Sequence, residues 1–395
     1  MTPSKERSEN SESFGLPSPR EEELLKAALL QSTDAIEYWD DWIGKVDLEH
    51  DLTSGERRLL PLAYANLTTC AGVDTVSFHP KIIGLSKRTL YYNTILFNRL
   101  LAVINVLETI GVEPIVIKGA ALVLSGVYPK AATRVMADYD LLVPFDRKRD
   151  VVRLLVDAGF QFLPRWNWYL EPFSQVHSIS LTSENYGELD LHWFPLAVCK
   201  AEQANSLYFA HRQPTAIADR EITIPVPELQ WVHAVVHGLQ HDSADRTQWV
   251  CDAVKLIERY PSINWEQVTH FAQTLHVGAF LQHATDYLAR LFPETIEGNC
   301  LESIRRLKIT ETEKRVFTAS VRPRERMREQ FFLRKYDLQQ QQPELSTLKC
   351  WFKIYRYWLH AASAASNGSV LREGFIAVGH LLSNKSYQMG EYRKK

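Results

Sequence analysis

Two short segments alternate acidic with apolar residues, and this alternation restricts the local fold more than any other feature of the chain. Asp138 and Asp140 flank a tyrosine in the first segment, and Asp190 lies between two leucines in the second. Successive side chains of a β-strand point to opposite faces of its sheet. The pattern therefore predicts two neighbouring strands, at 135–143 and 188–194, each with its aspartates on one face.

Carboxylates brought together in this way repel one another. At about 4 Å and an effective dielectric constant near 20, two such charges repel by roughly 4 kcal/mol, so we expect a cation between them. Mg²⁺ prefers carboxylate and phosphate oxygens. Two metal ions can hold the attacking and leaving oxygens of a nucleotidyl transfer, and a further carboxylate can accept the proton of the attacking hydroxyl. We predict two Mg²⁺ ions, with three catalytic and metal-ligating residues: Asp138, Asp140 and Asp190.

A lysine and a glycine follow an apolar run and precede a short predicted helix. The run at 114–117 is predicted to be a buried strand, and the helix is predicted at 120–125. Backbone amides at the start of a helix attract anions, and glycine allows the backbone to approach a phosphate closely. We therefore predict that Lys118 and Gly119 bind a nucleotide, with Arg134 supplying further positive charge.

These three motifs, in this order, resemble those of the DNA polymerase beta-like nucleotidyltransferase superfamily. More narrowly, the chain resembles a bacterial family of uncharacterised nucleotidyltransferases, from about Leu59 to Arg322. The resemblance implies Mg²⁺-dependent transfer of a nucleoside monophosphate from a nucleoside triphosphate to a hydroxyl of an acceptor, either a small molecule or a protein. Ala120 stands where the wider superfamily often has serine, so backbone amides and Lys118 would have to hold the phosphate.

The order of periodic segments predicts an α+β or α/β fold, with a small mixed-sheet core between helical regions. A hairpin is expected around 182–187, and a helix at 90–110 is expected to end at Gly111. The glutamine run at 339–342 is predicted to be a linker. The predicted division is a disordered tail at 1–20, an N-terminal helical region at 21–107, a nucleotidyltransferase core at 108–215, a helical domain at 216–338, and a linker with a C-terminal helical segment at 339–395.

Histidines at every fourth position suggest a second function. His233, His237 and His241 share one helix face, and Asp242 follows the last of them. A metal-dependent phosphohydrolase of the His-Asp type is thus one alternative, and a nucleotide-binding protein without turnover is another. A zinc protease of the His-Glu-x-x-His type is excluded at this helix because the glutamate is missing. We favour packing of this face beside the transfer site.

Several further contacts are expected from the sequence. Arg246 and Asp252 are predicted to form a contact between helices, and Glu188 is predicted to be a solvated residue. His192 is expected to serve in packing. The aromatic cluster with Trp166, Trp168 and Tyr169 is expected to pack against a neighbouring lobe.

Composition narrows the classes of partner. A net charge of −2 gives no polycationic signature, which argues against duplex nucleic acid and favours a small molecule or a protein. Five scattered cysteines indicate reduced thiols in a cytoplasmic protein. We expect no apolar stretch to approach the roughly 18 residues of a membrane-spanning helix, so no membrane contact is predicted.

Overall fold

The computed structural model describes residues 15–70, 78–163, 176–240, 246–296, 298–322 and 327–355. Within these residues, helices from both ends of the sequence enclose a seven-stranded mixed sheet, which confirms the predicted α+β class. Residues 1–14 of the predicted tail lie outside the described residues. The same is true of the following residues named above: Trp166, Trp168, Tyr169, His241 and Asp242.

The strands of the sheet come from the middle of the chain. They are β1 (Ile115–Ile117), β2 (Tyr139–Leu142), β3 (Gln161–Phe162), β4 (Ser178–Ser183), β5 (Gly187–His192), β6 (Arg212–Ile217) and β7 (Arg220–Pro225). Their order is β3-β4-β5-β2-β1-β7-β6. β2 pairs with β5 in parallel and with β1 in antiparallel orientation. The sheet continues to Pro225, past residue 215.

The two acidic strands are shorter than the sequence predicts. β2 begins at Tyr139, so Asp138 lies immediately before the strand rather than within it. The predicted hairpin is confirmed, because β4 and β5 pair in antiparallel orientation around a turn that ends at Gly187. Gly187 has a φ of +75°, a left-handed conformation that glycine adopts without steric cost.

Four helices precede the sheet. They are α1 (Pro19–Leu29), α2 (Asp34–Ile43), α3 (Ser54–Cys70) and α4 (Pro80–Glu108). α1 begins inside the segment predicted as a tail, because Ser18 and Glu21 form a reciprocal capping box at its N-terminus. α4 begins ten residues before the predicted position, with Pro80 in its first turn. Proline suits that position because its missing N–H has no partner there in any helix.

α4 also contradicts one prediction from composition. An 18-residue window within Pro80–Glu108 reaches a mean hydropathy of 1.3, so this helix meets the length and composition of a membrane span, with 33% of the window buried. The core helix of a globular protein meets the same criteria. Leu96, Leu100, Val103 and Leu107 form a buried stripe that packs against the sheet.

Helices α5 to α14 follow β1 among the described residues. They are α5 (Lys118–Leu124), α6 (Lys148–Asp157), α7 (Glu202–Ala210), α8 (Pro227–Gly238), α9 (Gln248–Arg259), α10 (Trp265–Thr274), α11 (Gly278–Leu291), α12 (Gly298–Arg305), α13 (Glu311–Val321) and α14 (Met327–Gln341). The predicted linker at 339–342 is wrong for its first three residues, since α14 extends through Gln341. Glutamine is a good helix former, and its polarity alone does not mark a linker.

The sheet separates two buried apolar clusters. Val116 and Leu141 face the cluster that contains the stripe of α4. Ile115, Ile117 and Leu142 face the other, which also holds apolar residues of α1–α3 and α8–α13. The alternation of side chains along β1 and β2 explains this division. Helices α1–α3 and α8–α13 consequently share one core, on the side of the sheet where α8 packs against β7.

Candidate active site

A cavity of about 260 Å³ lies where α5, α8 and α9 meet β2 and β5. Its walls carry both signs of charge and two histidines. The six residues predicted from the sequence as a site all line it: Lys118, Gly119, Arg134, Asp138, Asp140 and Asp190. The structure thus brings together residues that are up to 72 positions apart in the chain. Their roles remain predictions.

Asp140 and Asp190 are held side by side by the register of the sheet. They are direct partners in the parallel pairing of β2 with β5. One ligand atom from each, together with one from His192, lies within 4.8 Å of the others, a spacing that suits a metal ion. Ser180 donates a hydrogen bond of 2.5 Å to Oδ1 of Asp190, which fixes this carboxylate from the neighbouring strand.

Lys118 provides the positive charge nearest to these acids. Its Nζ lies 2.5 Å from Oδ1 of Asp140, and both side chains are largely buried. Burial lowers the pKa of Lys118, but the charges of Asp140 and Asp190 outweigh it and raise the pKa above its usual value. Burial likewise raises the pKa of Asp140, yet Lys118 and a hydrogen bond from His192 bring it well below its usual range. The pair is therefore ionised at neutral pH.

Asp138 experiences the opposite balance. Burial, followed by the charges of Asp140 and Asp190, raises the pKa of Asp138 to about 7, and Lys118 and Arg58 only partly oppose this rise. A carboxylate in this position is poorly compensated by the protein alone. A divalent cation beside it would favour its ionised form.

Gly119 lies in the first turn of α5, under the side chain of Met136. A Cβ at this position would lie 3.1 Å from Sδ of Met136, so any larger residue would push that side chain aside. Lys118 precedes it with a φ of +56°, which is uncommon for a residue with a side chain. The turn therefore holds the lysine in a specific orientation at the cavity.

Arg134 forms a buried ion pair that the sequence does not suggest. Its Nε and Nη2 donate to the two carboxylate oxygens of Asp252 at 2.8 and 2.9 Å. Tyr128 donates a hydrogen bond of 2.6 Å to the same carboxylate. The predicted contact of Asp252 with Arg246 is wrong, because Arg246 is exposed and the fork of Arg134 matches the carboxylate.

Two histidines of α8 line the same cavity, as predicted from their spacing. Burial lowers the pKa of His233 well below its usual value and that of His237 to about 3, so both are neutral. The hydroxyl oxygen of Tyr208 lies 3.2 Å from Nδ1 of His233. Among the described residues, the group of possible metal ligands contains no residue of α8. The described part of this helix forms a wall of the site.

The residues around Asp140 suit a divalent metal ion. Carboxylates supply the oxygen ligands that Mg²⁺ prefers, and His192 adds a nitrogen. His192 lies with Nε2 3.0 Å from Oδ1 of Asp140, while its buried Nδ1 has no hydrogen-bond partner among the described residues. His192 thus contacts a site residue, in addition to the packing role expected from the sequence. Glu188 is exposed, as predicted.

Comparison of the sequence with protein families gives one result. A sequence model of an uncharacterised nucleotidyltransferase family matches residues 53–293, more than half of the chain. The chain belongs to this nucleotidyltransferase family. No curated protein and no solved structure matches it. The matched region contains every residue that lines the cavity.

Several residues that line this cavity carry no signal in the motifs of the sequence. Ser180 is one of them, although the pairing of the predicted hairpin places it directly opposite Asp190. Arg58 reaches the cavity from α3, and no local pattern marks it. Asp252 reaches the cavity from α9, whereas the sequence predicted for it only a contact with Arg246. Gln230 and Gln248 also line the cavity from α8 and α9. Only tertiary packing brings these last four side chains to the acids.

Proposed function

We propose that this protein is a Mg²⁺-dependent transferase that moves a nucleoside monophosphate from a nucleoside triphosphate to a hydroxyl group of an acceptor. The observation that carries the proposal is the pairing of Asp140 with Asp190 on adjacent strands, with Asp138 in the same cavity. Membership of a nucleotidyltransferase family supports the triphosphate as donor.

The metal site is assigned to the three aspartates. Asp138, Asp140 and Asp190 would hold two Mg²⁺ ions, which when bound polarise the α-phosphate and neutralise charge on the leaving pyrophosphate. Lys118 and the backbone at Gly119 line the same cavity and would bind phosphate oxygens. Lys118 must then leave Asp140 or share it with the incoming ions.

The transfer itself requires one base. The acceptor oxygen forms a bond to the α-phosphorus, the bond from this phosphorus to the pyrophosphate oxygen breaks, and the acceptor hydroxyl loses its proton. We assign proton acceptance to Asp190, because the hydrogen bond from Ser180 fixes its orientation within the cavity. Arg134, held by Asp252, would supply further positive charge beside Gly119, where a Cβ would lie 3.5 Å from Cζ of the arginine.

Isothermal titration with ATP, CTP, GTP and UTP tests the donor site. We expect binding that depends on Mg²⁺ and disappears in the double variant Asp138→Asn/Asp140→Asn. Asp146→Asn, a change of the same kind at an exposed aspartate of the same sheet region, should bind as the wild type does. Binding that is independent of Mg²⁺ and unchanged in the double variant would contradict the proposal.

A turnover assay separates this proposal from the two alternatives. Incubation with labelled nucleotides and a small-molecule extract should release pyrophosphate and label an acceptor, and the aspartate double variant should do neither. A His-Asp phosphohydrolase would instead release phosphate. This release should be lost in His237→Ala and should persist in Asp138→Asn. A binding protein without turnover would bind nucleotide with Mg²⁺ but release neither product.

A further inference from the structure

A second cavity adjoins the active site. Its volume is about 420 Å³, and it lies between α3, α4 and the segment that leads into β2. Arg58, Met136 and Ala137 line both cavities, so the two are separated only by these side chains. Ala137 directly precedes Asp138. A molecule in the second cavity is therefore within reach of the carboxylates.

The second cavity is strongly basic, and we call it the arginine cavity. Four arginines line it, at 57, 58, 88 and 99, and Glu188 is the one carboxylate among the described lining residues. Arg57, Arg88 and Arg99 form no ion pair with a carboxylate of the described chain. This contrasts with Arg134 in the active site, whose charge is matched by Asp252.

Two of the arginines have contacts that orient them. The guanidinium of Arg99 packs over the hairpin turn, where a Cβ on Gly187 would lie 2.8 Å from Nη1. The guanidinium of Arg88 lies 5.2 Å from the ring centre of Tyr92, a cation–π contact. Tyr92 also lines the cavity and is half exposed. These contacts orient the guanidinium groups without neutralising them.

Such an arrangement favours an anionic ligand. Guanidinium groups keep their charge at every physiological pH, and their planar fork matches the oxygens of phosphate. Arginines that approach one cavity from two helices repel one another, and an anion between them relieves this repulsion. The volume falls within the range of pockets for small molecules. A small phosphorylated compound therefore fits the cavity better than a neutral ligand does.

We propose that the arginine cavity binds a phosphate group of the acceptor, so that the acceptor is a small phosphorylated molecule with a free hydroxyl. This inference rests on the proposed transferase function. The Lys118–Gly119 turn, assigned to the phosphates of the donor, lines the active-site cavity and is not among the described residues around the arginine cavity. The acceptor would extend past Ala137, with its hydroxyl directed to the aspartates.

Titration with inorganic phosphate tests the cavity without turnover. In buffer without Mg²⁺, the wild type should bind phosphate, and Arg88→Gln/Arg99→Gln should weaken binding at least about tenfold, because each lost bond is charge-assisted. Lys87→Gln removes a charge from the same helix outside the cavity and should change nothing. Asp138→Asn/Asp140→Asn should still bind phosphate. Equal binding by the wild type and the arginine variant would overturn the proposal.

A second measurement distinguishes acceptor from donor. With Mg²⁺ present, the arginine variant should bind each nucleoside triphosphate within about twofold of the wild type, since the donor phosphates are assigned to the other cavity. Weakened triphosphate binding in this variant would assign the cavity to the donor and overturn the acceptor role. If the wild type shows no Mg²⁺-dependent nucleotide binding, the transferase proposal is refuted. The phosphate titration would then still show whether the arginine cavity binds an anion.

Transfer to an extract completes the test. Labelling of small molecules by the wild type should be lost when the extract is first treated with a phosphatase that is then removed. It should also fall at least about tenfold in the arginine variant and persist in Lys87→Gln. Labelling that survives phosphatase treatment, or labelling of nucleic acid alone, would contradict a small phosphorylated acceptor.

Discussion

The ammonium group of Lys118 lies 2.5 Å from Oδ1 of Asp140, at the centre of the acidic cluster. The repulsion between aspartates that led us to expect a metal cation is thus partly relieved by the protein itself. Lys118 occupies this position from the first residue of α5, with an uncommon positive φ. Its charge compensates Asp140, while the pKa of Asp138 stays raised to about 7.

Replacing Lys118 should affect stability and Mg²⁺ binding in opposite directions. Lys118→Met leaves Asp140 buried without its partner, and we expect a loss on the order of 3 kcal/mol in the unfolding free energy of the metal-free protein. Mg²⁺ should then raise the melting temperature of the variant more than that of the wild type, because no lysine competes for the carboxylate. Thermal melts with and without Mg²⁺ measure both effects.

Lys130→Met is the matched control for this change. Lys130 is exposed, so its replacement should alter neither stability nor the response to Mg²⁺. Equal stability of Lys118→Met and Lys130→Met would mean that the contact with Asp140 contributes nothing.

The raised pKa of Asp138 predicts a pH dependence of stability. Between the usual aspartate pKa near 4 and the folded value of about 7, the folded metal-free protein retains a proton that the unfolded chain has lost. The contribution of Asp138 to the unfolding free energy should therefore fall as the pH rises through this window, by at most about 1.4 kcal/mol for each pH unit. Urea denaturation of the wild type and of Asp138→Asn at about pH 4.5 and about pH 7.5 measures this contribution as the difference between the two proteins.

Asp138→Asn should lack this contribution over the same window, because the side chain no longer ionises. Mg²⁺ at the higher pH should stabilise the wild type more than this variant, since the ion favours the charged carboxylate. An identical pH dependence of the two proteins would refute the assignment of the raised pKa to Asp138.

How much of the site follows from the sequence can be judged at individual residues. The convergence of Asp140 and Asp190 was predictable. Alternation along each strand sets the face on which the aspartate lies, and the two strands are neighbours in the sheet, so the two carboxylates lie close together. The ion pair of Arg134 with Asp252 was not, since it joins the segment before β2 to a helix 118 positions later. The same limit applies to β6 and β7, because the pairing of β7 with β1 depends on the path of α7 rather than on a local pattern.

His237 predicts a dependence of stability on acid. Its pKa in the folded protein is lowered to about 3 by burial and then by the charge of Lys118, so the unfolded chain takes up a proton near pH 6.5 and the folded chain does not. The contribution of His237 to the unfolding free energy should fall as the pH drops from about 6.5 to about 3, by on the order of 5 kcal/mol in total, of which about 3 kcal/mol is lost between pH 6.5 and pH 4. His237→Gln should remove this contribution, whereas His270→Gln, at an exposed position, should not.

Denaturation curves at several pH values between about 4 and 7 give the comparison. Equal slopes of unfolding free energy against pH for the wild type and His237→Gln would show that His237 does not resist protonation in the folded state.

Substitutions of Arg134 and Asp252 should have strongly coupled effects on the unfolding free energy. Asp252→Asn leaves a buried guanidinium without its carboxylate, and we expect a cost of about 3 kcal/mol or more. Arg134→Met should cost a similar amount, and the double variant should cost clearly less than the two together. Urea denaturation of the four proteins gives the coupling energy, and simple additivity would exclude a direct interaction.

Gly238 should be intolerant of any side chain, because α8 and α9 meet there. A Cβ on Gly238 would overlap the side chain of Trp249, which is buried and cannot move into solvent. Gly238→Ala should therefore destabilise the protein by about 1–3 kcal/mol through overpacking, and it should also weaken nucleotide binding because both residues line the active-site cavity. Gly84→Ala in α4 meets nothing within 4 Å and should instead stabilise the protein by about 0.5–1 kcal/mol. A gain in stability for both variants, measured by urea denaturation, would show that the helices can separate without cost.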